Sequence, residues 1–98
     1  MNTDVDCSKI SGFSVFYREQ SSVEASKAIF DFLDNNLGRP NKGRTQSNLY
    51  VTRGTWSPAV LFEAAFLPNP SDFQWLIDEK AQEDLAEKLA LAIVDYFN

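Results

Sequence analysis

Apolar residues recur along the chain with two different periods, which together predict three strands and three helices. Short alternating or continuous apolar runs are typical of strands, and they occur at Gly12–Arg18, Asn48–Arg53 and Ala59–Phe66. Spacings of three and four residues are typical of amphipathic helices, and they occur after Ser21, from Pro70, and over 80–97. The predicted order of elements is therefore β-α-β-β-α-α.

The first helix carries signals for both of its ends. Ser21 and Glu24 have the spacing of a capping box, so we expect Ser21 to cap the helix and Glu24 to bond back. The helix should end at Leu37, because Gly38 favours the left-handed conformation that follows a helix and Pro40 prevents continuation.

The two C-terminal helices are predicted from a start signal and from an apolar stripe. Asn69 is expected to be an N-cap, Pro70 the first helical residue, and Asp72 an acid near the positive end of the helix dipole. Four residues at four-residue spacing are expected to form the apolar face of the last helix: Leu85, Leu89, Ile93 and Phe97.

The third predicted strand decides the fold class. Its nearly continuous apolar character is typical of a central strand that is covered on both faces. We therefore predict an α/β protein of the three-layer α/β/α type with a small mixed sheet. A sheet of three strands has at least one bare edge, so self-association through an exposed sheet edge is a further expectation.

Composition narrows the class of protein. The 98 residues are enough for one domain or part of one, and their 44% hydrophobic and 13% aromatic content can form a core. A net charge of -5 with scattered Lys and Arg argues against nucleic-acid binding. The chain has no apolar run near 20 residues and no targeting signal at its start, so we expect no membrane span.

Histidine is absent from the sequence, and Cys7 is the only cysteine. Histidine is the commonest ligand of zinc and the usual base beside a nucleophilic Ser or Cys. The chain alone therefore lacks the residues for a zinc site or a hydrolytic triad.

Glu63 stands alone in the apolar run of the third strand. Desolvating an unpaired carboxylate is costly, so Glu63 should lie at the open end of the strand or face a cation, a positive partner or a reacting group. Residues 38–47 are predicted to be a loop. It carries Arg39, Lys42 and Arg44, which form either a solvated connection or a rim that faces the carboxylates of a ligand.

The segment from Pro58 to Asp72 resembles a motif near the C-terminus of zinc-dependent N-acetylmuramoyl-L-alanine amidases. In that family a strand of the form P-A-V-L-x-E-x-x-F is followed by an N-P-x-D helix start. The resemblance extends back through Asn48–Arg53, Asn41–Gly43, the helix after Ser21 and the strand at 11–17. It departs from the family where Ala65 replaces the usual Gly.

The resemblance implies that residues 1–98 are the C-terminal half of an amidase catalytic domain, similar to a zinc-exopeptidase-like domain. The family's zinc ligands, two His and one Glu, precede this region, so the N-terminal half that carries them would be missing. Met1-Asn2 matches the residues that follow the second His. Zn is implied for the intact domain, and none is expected to bind this chain alone.

The resemblance also implies a function. Glu63 matches the catalytic glutamate of a domain that uses zinc-activated water to cleave the amide between N-acetylmuramic acid and L-alanine. The expected partner is peptidoglycan or a muropeptide, and the expected location is periplasmic, extracellular or in the cell wall. Whether the chain is itself an enzyme stays open, and we expect it to be inactive alone.

Two alternatives belong to other classes of protein. A non-catalytic peptidoglycan-binding or regulatory module would hold the carboxylates of stem peptides through Arg39, Lys42 and Arg44. A general α/β interaction domain would leave the position of Glu63 unexplained.

Overall fold

A computed structural model describes residues 9–48 and 58–98. A short 3-10 turn at Gln20–Ser22 precedes the first helix. The strands are β1 Phe13–Tyr17, β2 Asn41–Gln46 and β3 Val60–Glu63, and the helices are α1 Val23–Asn36, α2 Pro70–Leu76 and α3 Glu79–Phe97. No helix in these two ranges is long and apolar enough to cross a membrane.

The described strands form one mixed sheet in the order β2-β1-β3. β1 runs parallel to β2 and antiparallel to β3. The predicted α/β class, with a small mixed sheet and three helices, is confirmed. β1, rather than the more apolar β3, is the middle strand of this sheet, and the predicted self-association through an edge stays a prediction.

The predicted loop at 38–47 contains strand β2, so that prediction was wrong. β2 has no large apolar residue, and the hydrophobic pattern therefore gives no sign of it. Backbone bonds hold its two ends, since Phe13 N–H donates to Pro40 O at 3.0 Å and Ser47 N–H donates to Tyr17 O at 2.7 Å. The predicted strand at Asn48–Arg53 lies outside the described residues, except for Asn48, which follows β2.

Helix α1 ends as predicted but begins differently. Leu37 is its C-cap, and Gly38 follows with φ of 73°. The residue that precedes α1 is Ser22, with no side-chain capping bond, so the capping role predicted for Ser21 was wrong. Ser22 Oγ instead accepts a bond from the Ala59 amide at 2.9 Å, which ties the start of α1 to the entry of β3.

The core lies where β1 meets α1 and α3. Fully or almost fully buried side chains come from all three elements and from the end of α1: Phe13, Val15, Ile29, Leu33, Leu37 and Ala92. Burying a side chain as large as Leu or Phe contributes about 1.5–3 kcal/mol. This cluster therefore supplies much of the energy that fixes the helices on the sheet.

The apolar stripe predicted for α3 is only half right. Leu85 and Leu89 pack against the core, whereas Ile93 is 48% exposed and Phe97 is 75% exposed. A step of four residues turns about 40° too far for a period of 3.6 residues. Three such steps move the stripe about 120° around the helix, so Ala92 takes the buried position near its end.

The start of α2 is built as predicted, and it contains the most connected side chain described. Asn69 Oδ1 accepts a bond from the Asp72 amide at 3.0 Å, and Pro70 occupies the first helical turn. The Asp72 carboxylate is fully buried. Its Oδ2 accepts from Phe66 N–H at 2.7 Å and Gly12 N–H at 2.8 Å, and its Oδ1 pairs with Arg39 Nη2 at 2.7 Å.

These donors decide the charge state of Asp72. Burial alone raises its pKa, but the Phe66 and Gly12 amides and the Arg39 guanidinium together hold the pKa below its ordinary value of 3.8. Asp72 is therefore an anion in the folded chain, and it joins the start of β1, the exit of β3 and the α1–β2 connection to the first turn of α2.

Gly12 is required where the chain enters β1. Its φ is +108°, and a Cβ added there would lie 2.2 Å from Pro40 O. Gly43 has a similar φ of +103°, but nothing lies within 4 Å of an added Cβ. Alanine at these two positions therefore distinguishes the effect of backbone strain, which both share, from the effect of the clash with Pro40, which only Gly12 has.

We expect Gly12→Ala to destabilise the chain more than Gly43→Ala. Backbone strain should cost both variants about 1–3 kcal/mol. Gly12→Ala should lose about another 1–3 kcal/mol through the clash with Pro40. Urea unfolding followed by circular dichroism measures both values, and equal losses would show that the Pro40 contact has no effect.

The depressed pKa of Asp72 predicts a loss of stability in acid. A carboxyl with a lower pKa in the folded state contributes stability above its unfolded pKa of about 3.8, and that stability is lost as pH falls through the folded pKa. Asp72→Asn should remove this acid-dependent part. At pH 7 it should cost about 3–5 kcal/mol, because Arg39 loses the partner of a buried ion pair.

The matched control is Asp31→Asn. Asp31 pairs with Lys27 at 2.7 Å, but its side chain is half exposed, so the loss should stay below about 1 kcal/mol. Urea midpoints measured between pH 2.5 and 7 test both variants. If the stability of Asp72→Asn fell with pH as much as that of the unmodified chain, the acid-dependent stability could not be attributed to Asp72.

Candidate functional site

Glu63 is the last residue of β3 and faces solvent. Its side chain is 47% exposed, and its β1 partner across the antiparallel pair is Ser14. Glu63 thus lies at the end of its strand and also has a cation beside it, which are two of the situations expected from the sequence. It is not a desolvated carboxylate, so it can meet a ligand from solvent.

Lys42 is the cation beside Glu63. Its Nζ lies 3.9 Å from Glu63 Oε2 and 4.4 Å from the centre of the Phe66 ring. In the sheet, β1 lies between β2, which carries Lys42, and β3, which carries Glu63. The Lys42 side chain therefore reaches across β1, at the level of Ser14, to Glu63 on β3.

A β-bulge accounts for this reach. Phe13 pairs with Asn41 and Ser14 pairs with Gly43, so Lys42 is an extra residue with no partner in β1. A bulge of this kind re-aims a side chain next to a functional site. The positive φ of Gly43 accommodates the irregular backbone directly after Lys42.

The other two predicted cations have different partners. Arg39 is bonded to Asp72, its side chain is 18% exposed, and its guanidinium lies 5.1 Å from the centre of the Trp75 ring. Arg44 Nη1 donates to Ser26 Oγ at 3.0 Å. Its guanidinium also lies 5.2 Å from the centre of the Tyr17 ring. Of these three, only Lys42 contacts Glu63.

Sequence reasoning missed the link between Lys42 and Glu63 and the central role of Asp72. The signal for the first was the Lys42-Gly43 pair, because a glycine within a strand often marks a bulge. That signal applies only within a strand, and the sequence predicts a loop at 38–47. Asp72 was placed at the correct helical position, but the sequence gives no sign that its carboxylate is buried.

The residues at hand do not fit a zinc site. Within 9–48 and 58–98 no group of three or more His, Cys, Asp or Glu side chains could hold a metal ion. The sequence contains no histidine at all. Zinc in proteins is held mostly by His nitrogen and Cys sulfur, with Asp or Glu oxygen as further ligands, and the described residues do not offer such a set.

Comparison with known proteins shows one consistent family. The family model described as N-acetylmuramoyl-L-alanine amidase matches residues 2–95. The probable cell wall amidase LytH of Staphylococcus saprophyticus is 30% identical over 87 residues, which cover 89% of this chain and 30% of that protein. LytH of Staphylococcus aureus is 27% identical over 101 aligned positions, covering 99% of this chain and 33% of that protein.

Solved structures agree in fold. The catalytic domain of CwlV, an N-acetylmuramoyl-L-alanine amidase from Bacillus (Paenibacillus) polymyxa, matches with a TM-score of 0.85 and 27% identity, covering 95% of this chain and 52% of that one. The CwlD amidase of Clostridioides difficile, solved in complex with the GerS lipoprotein, matches with a TM-score of 0.83 and 29% identity, covering 95% and 49%.

The chain spans about a third of the length of these curated relatives and about half of the solved domains. The match extends over both halves of the sequence and includes the strand that ends at Glu63. Because the family model covers nearly every residue, from 2 to 95, this chain belongs to the N-acetylmuramoyl-L-alanine amidase family.

Proposed function

We propose that this chain is the C-terminal part of a peptidoglycan amidase domain and that Glu63 is the general acid–base of that domain. The reaction is cleavage of the amide between N-acetylmuramic acid and L-alanine. The observation that carries the proposal is an exposed carboxylate at the end of β3, beside an ammonium group, in a chain of the amidase family.

The exposure of Glu63 suits proton transfer. A general base must come within hydrogen-bond reach of the proton that it takes, and a side chain that is 47% exposed can do so. The Glu63 carboxylate would accept a proton from the attacking water and pass it to the departing amine nitrogen of L-alanine. Lys42 supplies the nearby positive charge.

The metal ligands would come from the other half of the domain. The resemblance implies zinc, and the residues of this chain do not fit it. The chain covers about half of the solved amidase domains that it resembles. We therefore place the two His and one Glu ligands in an N-terminal half that precedes this sequence, and the assembled domain would act on peptidoglycan in the cell wall or periplasm.

The chain alone would then be inactive but could still contact its substrate. Lys42 and Arg44 both lie on β2 and carry positive charge toward different faces, while Arg39 is occupied by Asp72. A peptidoglycan-binding or regulatory role without cleavage is the second candidate, and it would draw on Lys42, whose side chain is 20% exposed.

The prediction for cleavage uses a complete domain. We expect the N-terminal half of the CwlV catalytic domain, joined to this chain, to bind zinc and cleave muropeptides. Glu63→Gln should lower the cleavage rate by at least about 100-fold, since general acid–base catalysis contributes about 10²–10⁴. Zinc content should not change. Product analysis by chromatography and metal analysis give the two measurements.

Glu83→Gln is the matched control, because Glu83 is an exposed acid on α3 and its loss should leave cleavage unchanged. Cleavage by the Glu63→Gln chimera at the unmodified rate would reject Glu63 as the acid–base.

A separate prediction concerns binding. If the chain is a binding module, it should sediment with purified peptidoglycan, and the change of Arg39, Lys42 and Arg44 to Ala should reduce the bound fraction. Lys42→Ala alone should account for most of that loss, because Arg39 is held by Asp72. Unchanged retention by the triple variant, with folding verified by circular dichroism, would count against this candidate.

A further inference from the structure

We propose that Lys42 is a positioning residue that fixes the orientation of the Glu63 carboxylate. This inference rests on the proposed function of Glu63 and adds a second residue to it. It differs from the substrate-binding role considered above, because Lys42 would act through Glu63 rather than on the ligand.

The backbone of β2 is irregular at Lys42, the residue whose side chain reaches across β1 to Glu63. In a regular strand, residues two apart share a face, so Lys42 would lie on the same face as Arg44, which contacts α1 through Ser26. The bulge inserts Lys42 between the pairs Phe13–Asn41 and Ser14–Gly43. The extra residue places the Lys42 side chain on the opposite face, with Glu63.

The Lys42 ammonium is held on two sides. It lies over the Phe66 ring at 4.4 Å and within 3.9 Å of the Glu63 carboxylate. A cation over an aromatic face is attracted by the ring quadrupole. The Lys42 side chain is only 20% exposed, which is low for a lysine at the outer strand of a sheet.

The backbone of Phe66 is anchored in turn. Phe66 N–H donates to Asp72 Oδ2 at 2.7 Å, and that carboxylate is buried. A chain of contacts therefore runs from Asp72 through Phe66 and Lys42 to Glu63. Of these four residues, Glu63 is the one whose side chain is half exposed, so its orientation depends most on the neighbour at its tip.

The chemical value of this arrangement is orientation. A glutamate has three rotatable side-chain bonds, and proton transfer needs the carboxylate at a set distance from the attacking water. A single positive charge on one side of Glu63 favours one family of rotamers. Lys42 therefore reduces the number of Glu63 conformations that do not lead to reaction.

The experiment observes Glu63 directly in the chain as it stands. Three-bond scalar couplings about χ1 and χ2 of Glu63, measured by NMR on isotope-labelled protein, report its rotamer populations. We expect one dominant rotamer in the unmodified chain and averaged couplings in Lys42→Met. Lys42→Arg should restore the dominant rotamer, since it returns a positive charge to the same place.

Two further variants keep the test decisive. Lys27→Met removes an exposed lysine that pairs with Asp31, and it should leave the Glu63 couplings unchanged. Phe66→Leu keeps Lys42 but removes the ring beneath it, so the Glu63 couplings should become partly averaged. This variant provides a second test if Lys42→Met fails to fold. Averaged couplings in the unmodified chain, or couplings that neither variant changes, would overturn the proposal.

Activity separates this inference from the proposed function. In the complete domain, Lys42→Met should lower kcat by up to about 100-fold with little change in KM, and Lys42→Arg should recover most of it. An increase in KM with unchanged kcat would overturn positioning in favour of substrate binding. If Glu63→Gln keeps full activity, the proposed function fails, while the NMR result still decides whether Lys42 orients Glu63.

Discussion

The buried ion pair between Asp72 and Arg39 is the interaction on which the arrangement of this chain depends. A carboxylate without water is costly unless every oxygen has a partner. Asp72 meets this condition by accepting from Gly12, Phe66 and Arg39 at 2.7–2.8 Å. Those partners come from three separate segments, so satisfying one carboxylate fixes how the segments meet.

The hydrogen bonds to Asp72 also help to position the candidate site. Phe66 lies three residues after Glu63, and its amide is one of the Asp72 donors. Gly12 is another donor, and it opens the strand whose Ser14 pairs with Glu63. Asp72 therefore holds both the exit of β3 and the entry of β1. The backbone on either side of Glu63 is therefore held by strand pairing and by the Phe66 bond to Asp72.

Local signals predicted the three helices and the strands β1 and β3, but they did not predict β2. The Asn69 cap, the end of α1 at Leu37 and the class of fold follow from residues that act on their immediate neighbours. β2 could not be predicted, because Asn41–Gln46 has no apolar pattern and is held by backbone bonds to β1. Glu63 was found because a lone acid in an apolar run is unusual, whereas its contact with Lys42 needs a bulge that only the strand pairing shows.

Under the proposed function, placing Glu63 and providing a metal are separate tasks within the domain. The described contacts that place Glu63 come from β1, β2, β3 and the start of α2, and all lie within these residues. The sequence, by contrast, lacks histidine, the commonest zinc ligand. Under the proposed function, this part of the domain would orient the acid–base carboxylate, and an N-terminal half would hold the metal. The solvent-facing end of β3, where Glu63 lies, is then the side on which the two halves would meet the substrate.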